Sequence, residues 1–340
     1  MKKSVFLLGA LLLVSVSTFT KEANIIEEDV FKPSGKFGLE YKAYGKTEGH
    51  GDKNKSGDTI ITPIQDVWNR GANNYSRLES KIGINMTENS NLEVRVRDYN
   101  NLDRNDDSSK TKKSGTETRI RYTYQHTPKF ASRLEYEYST KDEKYYEYRG
   151  LLDLYENKNS VLSNIFLEPY YAYEQPTDNG GDYFNSIGAK VQVLGDLFAG
   201  FTYEFNTYFN ENFYNHEFQT GKNTTKDKEF ILEIEAYLYN TINLYSSEKY
   251  ILDLNFEGGY DPYTFAQYGR YDSKKKIVTD KNEYTLYAEF DLGLTYKITP
   301  SLAVTGGIGA KYENWDYTAE KSARDWRWQP FAYVGTNIKF

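Results

Sequence analysis

The sequence predicts an all-β chain, a transmembrane antiparallel β-barrel of about 14 strands. Three observations predict it. The C-terminal stretch 327–340 alternates, with Trp328, Pro330, Ala332, Val334, Ile338 and Phe340 on one face and Arg327, Gln329, Tyr333, Asn337 and Lys339 on the other. A period of two sets one face against an apolar phase and the other against water. The chain is polar on average, with a mean hydropathy of −0.75, yet it holds 33 tyrosines and 19 phenylalanines. A barrel touches lipid with alternate residues only and lines its lumen with polar ones, so it needs little apolar core. Finally, short turns and long polar links alternate between the strand-like segments. A soluble, tyrosine-rich sandwich is the competing architecture, and it leaves that rhythm of links unexplained.

The first element is an export signal. Lys2 and Lys3 precede an apolar run from Val5 to Val16, and small residues follow at Ser15, Ser17 and Thr18. That run is too short to span a bilayer as a stable helix. The layout predicts a signal peptide over 1–20, with cleavage after Thr20 or, alternatively, after Ser17. Removing it leaves a chain more acidic than the full-length net charge of −7, which argues against a nucleic-acid partner. The absence of cysteine excludes a cysteine-linked lipid, a disulfide framework and thiolate chemistry. Residues 21–33 read as a short periplasmic segment, and 34–340 as one barrel with no second domain.

Within the barrel, Phe37, Leu39, Tyr41 and Ala43 alternate with Lys36, Glu40 and Lys42. The same rhythm recurs around Leu78 to Met86, Leu92 to Val96, Ile120 to Tyr124 and Leu134 to Tyr138. Two weaker segments follow, around Tyr146 to Leu154 and Ile165 to Tyr173. Pro169 is awkward in the second, because proline donates no ladder hydrogen bond. Clearer strands run through Ile187 to Val193, Ala199 to Phe205, Phe230 to Leu238, Tyr250 to Phe256, Leu286 to Leu294 and Leu302 to Tyr312. Each is long enough for a tilted strand to cross the hydrocarbon layer. Long outer links are expected over 46–73, 101–115, 175–182, 210–228, 261–282 and 314–325. Two links are irregular: 140–143 is short for an outer loop, and 240–247 is long for an inner turn. Twelve or sixteen strands therefore stay compatible with the pattern. Aromatic girdles are expected at the rims, with Phe37, Tyr124, Tyr296 and Phe340 on the periplasmic side and Tyr203, Tyr312 and Trp328 nearer the outside.

The charges on the non-lipid face are segregated. Arg77, Lys81, Arg95, Arg97, Arg119, Arg121 and Arg133 come from the second to fifth strands. Glu233, Glu235, Asp253, Glu257, Glu289 and Asp291 come from the tenth to twelfth. In a ring of strands these form a basic and an acidic wall facing each other across the lumen. Opposed walls create a transverse field in a water-filled constriction, with little net ion selectivity. The alternative is pairing, because Glu79, Glu93 and Glu117 sit among the arginines. On the lipid face, a basic residue at the bilayer midplane would cost about 2–4 kcal/mol each, so these side chains face water or one another.

The first long link is unusual. Ile60, Ile61, Pro63, Ile64, Val67 and Trp68 make it apolar, which suits packing against the inner wall or against neighbouring loops or subunits. Enzyme chemistry finds no support. The three histidines, His50, His126 and His216, fall in loops or beside a turn with no triad spacing, and no metal-ligand or phosphate-binding motif is present. No cofactor is implied. Gly306, Gly307 and Gly309 read as close packing or a bend inside a strand.

The Met1-Lys2-Lys3 start, the Lys21-Glu22 opening of the mature chain, the tyrosine-rich strands and the Tyr333 to Phe340 ending together resemble the major outer-membrane porins of fusobacteria, the FomA type. The resemblance covers the whole length and rests on the combination of these features. It implies a voltage-sensitive, weakly selective diffusion porin that forms homotrimers and can also act as a surface adhesin. The expectation is therefore a bacterial outer-membrane porin for small hydrophilic solutes, in contact with outer-membrane lipid. The alternative is a closed or narrow barrel serving as an adhesin or structural protein. Gly335, Ile338 and Phe340 are expected to form the signal read by the barrel assembly machinery, with the last strand closing on the segment from Phe37 to Ala43.

Overall fold

The computed structural model describes residues 31–49, 74–102, 115–140, 143–158, 160–176, 181–221, 223–268, 270–271, 277–279, 282–283, 286–316 and 324–340. The signal peptide, most of the short N-terminal segment, His50 and the apolar stretch 60–68 lie outside these residues.

Fourteen long strands follow one another in chain order: β1 (Ser34–Tyr44), β2 (Tyr75–Thr87), β3 (Ser90–Asn101), β4 (Gly115–Thr127), β5 (Phe130–Ser139), β6 (Glu143–Glu156), β7 (Asn164–Pro176), β8 (Phe184–Asp196), β9 (Thr202–Gly221), β10 (Thr224–Ser246), β11 (Tyr250–Ala266), β12 (Leu286–Thr299), β13 (Leu302–Asp316) and β14 (Arg324–Lys339). Each pairs antiparallel with its neighbours in sequence, and β14 pairs with β1 from Lys36↔Lys339 to Tyr44↔Phe331. The ring is closed, so these strands leave no edge of unpaired amides facing hydrocarbon. The expected count and the expected closure of the last strand on the first are both observed.

Alternation sorts the side chains as period two requires. Leu134, Leu154, Ile187, Ile308 and Val334 are all more than half exposed on the outer face, an arrangement suited to lipid rather than water. Among the described residues the buried apolar cluster is small: Tyr44, Tyr75, Tyr99 and Phe331, all on the inner face. Cross-strand pairing and the outer lipid contact, rather than a packed interior, hold this fold.

Both chain ends of the barrel lie at one rim, with the turns at 88–89, 128–129, 247–249 and 300–301. The expected short outer link holds, because β5 stops at Ser139 and β6 resumes at Glu143. Elsewhere the loops give way to strand. The link expected over 210–228 is mostly a hairpin, since β9 runs to Gly221 and β10 starts at Thr224. Phe218 pairs with Lys226, Phe213 with Lys228 and Asn212 with Glu229 across it, without hydrophobic alternation, because strands beyond the hydrocarbon layer have no apolar face to match. Likewise β10 continues through Asn240 to Ser246, and β11 continues to Ala266. Three short strand segments follow at Arg270–Tyr271, Ile277–Thr279 and Asn282–Glu283.

The ninth strand begins at Thr202 rather than Ala199. Ala199 (φ 57°) and Gly200 (φ 77°) form a left-handed turn after Phe198. Tyr203 thus sits beside the turn at the rim of the chain ends, correcting its expected outer position, and its hydroxyl donates to the Val161 carbonyl at 2.8 Å. Pro169 does lie inside β7. Its ring faces outward against Gly150, and the β6–β7 ladder skips that point between Arg149↔Tyr170 and Leu152↔Leu167. Glycine opposite the proline leaves room for the ring where the donor is missing.

Candidate functional site: the inner wall

The inner wall from β1 to β8 alternates cations and carboxylates. Strand register sets some like charges side by side, because Arg95 faces Arg119 and Arg133 faces Arg149. Most side chains resolve this diagonally, whereas Arg97 and Arg121 bond the glutamates directly opposite them. Arg95 bonds Glu117, while Arg119 reaches back to Glu93 at 3.0 Å. Arg97 bonds Glu79 at 2.5 Å, Arg77 bonds Glu40 at 2.9 Å and Lys81 bonds Glu93 at 2.8 Å. Arg121 bonds Glu135, and Arg133 bonds Glu147 at 3.2 Å. Diagonal neighbours on one face of an antiparallel pair are within reach of long side chains. Every member of the expected basic wall therefore has a carboxylate partner.

Glu147 is the hub of this network. It accepts from Arg149 Nη2 at 2.5 Å, Arg149 Nε at 2.8 Å, Arg133 Nη2 at 3.2 Å and the Tyr145 hydroxyl at 2.6 Å. Arg149 continues to Glu168 at 2.7 Å. Neither Arg149 nor Glu168 was singled out among the expected site residues. The arginine stands on a weakly alternating segment; Glu147 lies two residues before it on the same strand, whereas Glu168 comes within reach only through the β6–β7 register.

From β9 to β14 the inner face differs in kind. Asp253 accepts from Asn243 Nδ2 at 2.8 Å, Asp291 from Asn255 Nδ2 at 3.0 Å and the Tyr333 hydroxyl at 2.6 Å, and Glu257 from the Tyr287 hydroxyl at 2.5 Å. These donors are neutral. Among the described residues no cation lies within ion-pair distance of these three carboxylates. Glu235 accepts from Asn206 at 3.0 Å and Tyr208 at 3.2 Å, and Glu233 stands opposite Tyr208 in the β9–β10 register. Three other carboxylates of this region do meet cations: Glu289 bonds Lys42 at 2.6 Å across the wall, Glu313 bonds Lys311 on β13, and Glu204 lies 4.0 Å from Lys190 of β8. Lys42 also sits 3.8 Å from the centre of the Phe331 ring, a cation–π contact. The two walls are thus unlike: the arginines of one are matched by glutamates throughout, while the other keeps Asp253, Glu257 and Asp291 held by amides and hydroxyls.

A cavity of about 810 Å³ opens at the rim of the chain ends, lined by Lys36, Lys81, Asn85, Asn91, Glu93, Asn337 and Lys339. Deeper space of about 230 Å³ is bordered by Glu40, Glu79, Thr305 and Tyr333. Charged and amide side chains border both, as in a water-filled lumen.

The outer face carries aromatic rows at both rims. Tyr136, Tyr146, Tyr173 and Tyr183 follow one another with ring centres 4.9, 6.1 and 5.4 Å apart. Tyr312 packs between Trp326 and Trp328 on the same side. At the opposite rim, Tyr250 stacks on Tyr296 at 5.0 Å, and His126 stacks on Phe130 at 4.9 Å. His126 Nε2 lies 2.8 Å from the Ser132 hydroxyl. No carboxylate among the described residues bonds its other ring nitrogen, so the pair lacks the orienting group that an activated serine uses. His216 is exposed, 3.7 Å from Asp182.

The expected assembly residues meet the first strand. Phe340 and Gly35 bond through their backbones, Ile338 faces Phe37, and Gly335 faces Glu40. A closed barrel with an apolar belt, aromatic rims and a charged interior defines a class, the bacterial outer-membrane β-barrels, and this chain is one of them.

No protein-family model matches the sequence, and no curated protein matches it. Solved structures do align. A bacterial polysaccharide outer-membrane secretin is 8% identical, over 90% of this chain and 98% of its own, with a TM-score of 0.43. OmpT of Vibrio cholerae is 11% identical, over 93% of this chain and all of its own, with a TM-score of 0.36. An anion-selective porin from Comamonas acidovorans is 9% identical, over 91% of this chain and all of its own, with a TM-score of 0.36.

Proposed function

We propose that the chain is a diffusion porin, admitting small hydrophilic solutes and ions through its lumen with a preference for cations. The observation that carries this reading is the contrast between the two walls. The arginines of β2 to β6 are each matched by glutamates and contribute little net field, whereas Asp253, Glu257 and Asp291 keep their charge beside neutral donors. Rings and rows of carboxylates favour cations in a water-filled passage. The cavity at the rim of the chain ends, bordered by Lys36, Lys81, Glu93 and Lys339, supports an open lumen. The bonds of Arg97 to Glu79, Arg119 to Glu93 and Arg95 to Glu117 favour the alternative of pairing over a balanced transverse field.

The fusobacterial, FomA-type relationship, a homotrimeric assembly, recognition of Gly335, Ile338 and Phe340 by the assembly machinery, and a non-enzymatic role belong to the same proposal. The sequence features support them. Planar-bilayer recording of the purified protein tests the core of it. Stepwise conductance and a reversal potential of the sign for cation flow are expected across a salt gradient. A silent bilayer favours the closed adhesive barrel, and a reversal potential of the opposite sign removes the cation preference.

A further inference from the structure

We propose that inner-wall glycines act as seats that hold lumen-facing tyrosine rings flat, and that the seat of Tyr333 on Gly307 sets the calibre of the pore. This rests on the reading of the barrel as a pore. Tyr333 on β14 is directly opposite Gly307 on β13, which is opposite Gly293 on β12. A Cβ added at Gly307 would lie 2.5 Å from Tyr333 Cζ, and one at Gly293 would lie 2.6 Å from its hydroxyl oxygen. The ring therefore lies across two neighbouring strands, and its hydroxyl reaches Asp291 at 2.6 Å.

The arrangement recurs elsewhere on the wall. Tyr287 covers Gly259, where a Cβ would be 2.5 Å from Cε1, and donates to Glu257. At Gly188 a Cβ would also lie 2.8 Å from Tyr170 Cζ, but there Asn210 Oδ1 and the Phe209 carbonyl oxygen are nearer, at 2.5 and 2.7 Å, so the ring is not the first obstacle. A glycine within a strand marks close approach by another group, and an aromatic ring laid over it restores the lost packing. Any side chain at Gly307 or Gly259 lifts the ring from the wall and turns it into the lumen. The ring is the far end of a flexible side chain, so it moves before the backbone does. Gly306, the neighbour on the outer face, shows no such crowding, because its nearest atom is the Tyr333 carbonyl oxygen at 3.5 Å.

Single-channel conductance of folded protein tests the seat. Gly307→Ala is expected to lower conductance and Gly307→Val to lower it further, while Gly306→Ala leaves it unchanged. Adding Tyr333→Ala to either Gly307 variant is expected to restore the wild-type level or exceed it. Wild-type conductance in folded Gly307→Ala and Gly307→Val, or a loss that Tyr333→Ala does not reverse, overturns the inference. Should the valine variant fail to assemble, the alanine variant with and without Tyr333→Ala gives the same comparison. A silent wild-type protein overturns the pore reading and the calibre with it, whereas a conducting wild type with indifferent variants overturns the seat alone.

Discussion

Phe340 and Gly35 exchange both of their backbone hydrogen bonds, at 2.7 and 3.1 Å, and the Phe340 ring lies where a side chain on Gly35 would have to go. The last residue of the chain is thus also the last rung of the seam between β14 and β1. Deleting Phe340 removes that rung and the ring that covers Gly35. Lower yield of assembled barrel in the outer membrane is expected, with export across the inner membrane intact. Heat-modifiable mobility on gels, set beside total exported protein, measures both. Gly35→Val should act in the same direction, because its Cβ alone would fall 2.5 Å from the Gly83 carbonyl oxygen.

Glu147 offers a test of the neutralised wall. Its side chain is 1% exposed and it answers both Arg133 and Arg149. Removing one member of a buried ion network leaves the others uncompensated, at a cost of about 3–5 kcal/mol. Glu147→Gln is therefore expected to lower unfolding stability by that order. A urea titration of the protein folded in lipid vesicles measures it. Ion selectivity should change far less than stability, because the neighbouring glutamates still surround the arginines.

Much of this was legible in the residues, and the misses share a cause. Ile82 and Lys81 declare opposite faces of a strand by themselves, since alternation is a local property. The pairing of Arg95 with Glu117 instead of the opposing Arg119 is not local. It depends on register between β3 and β4, which no single strand encodes. The seat of Tyr333 on Gly307 stayed hidden for the same reason, although the run Gly306, Gly307 and Gly309 did flag close packing. The hairpin from β9 to β10 escaped because Asn212 and His216 lie among aromatics with no apolar face to count. The strand start displaced from Ala199 to Thr202 reflects a left-handed turn that alanine gives little warning of.

The acidic wall predicts how selectivity can be edited. Asp253→Asn, Glu257→Gln and Asp291→Asn keep the size of each side chain and an acceptor for its neighbour while removing charge. The combined variant is expected to move the reversal potential toward zero at unchanged salt gradient. Raising the salt on both sides should shrink the wild-type preference, because screening shortens the reach of fixed charges to about 3 Å at 1 M. Replacing Arg121 with Gln should shift the potential in the opposite direction, since it leaves the charge of Glu135 uncompensated.

Ile308 separates the two faces of one strand. It is 66% exposed on the outside of β13, while Gly307 beside it faces the lumen under Tyr333. Its cross-strand partners are Leu292 and Ala332, near the middle of their strands, so it lies near the centre of the hydrocarbon layer. Arginine at the bilayer midplane of a barrel costs about 2–4 kcal/mol. Ile308→Arg should therefore destabilise the folded protein by that order in vesicle unfolding titrations, and leave single-channel conductance unchanged in the fraction that folds. Gly307→Ala should show the opposite pattern, a small change in stability with a clear loss of conductance. If Ile308→Arg instead altered conductance and spared stability, the assignment of faces along β13 would be reversed.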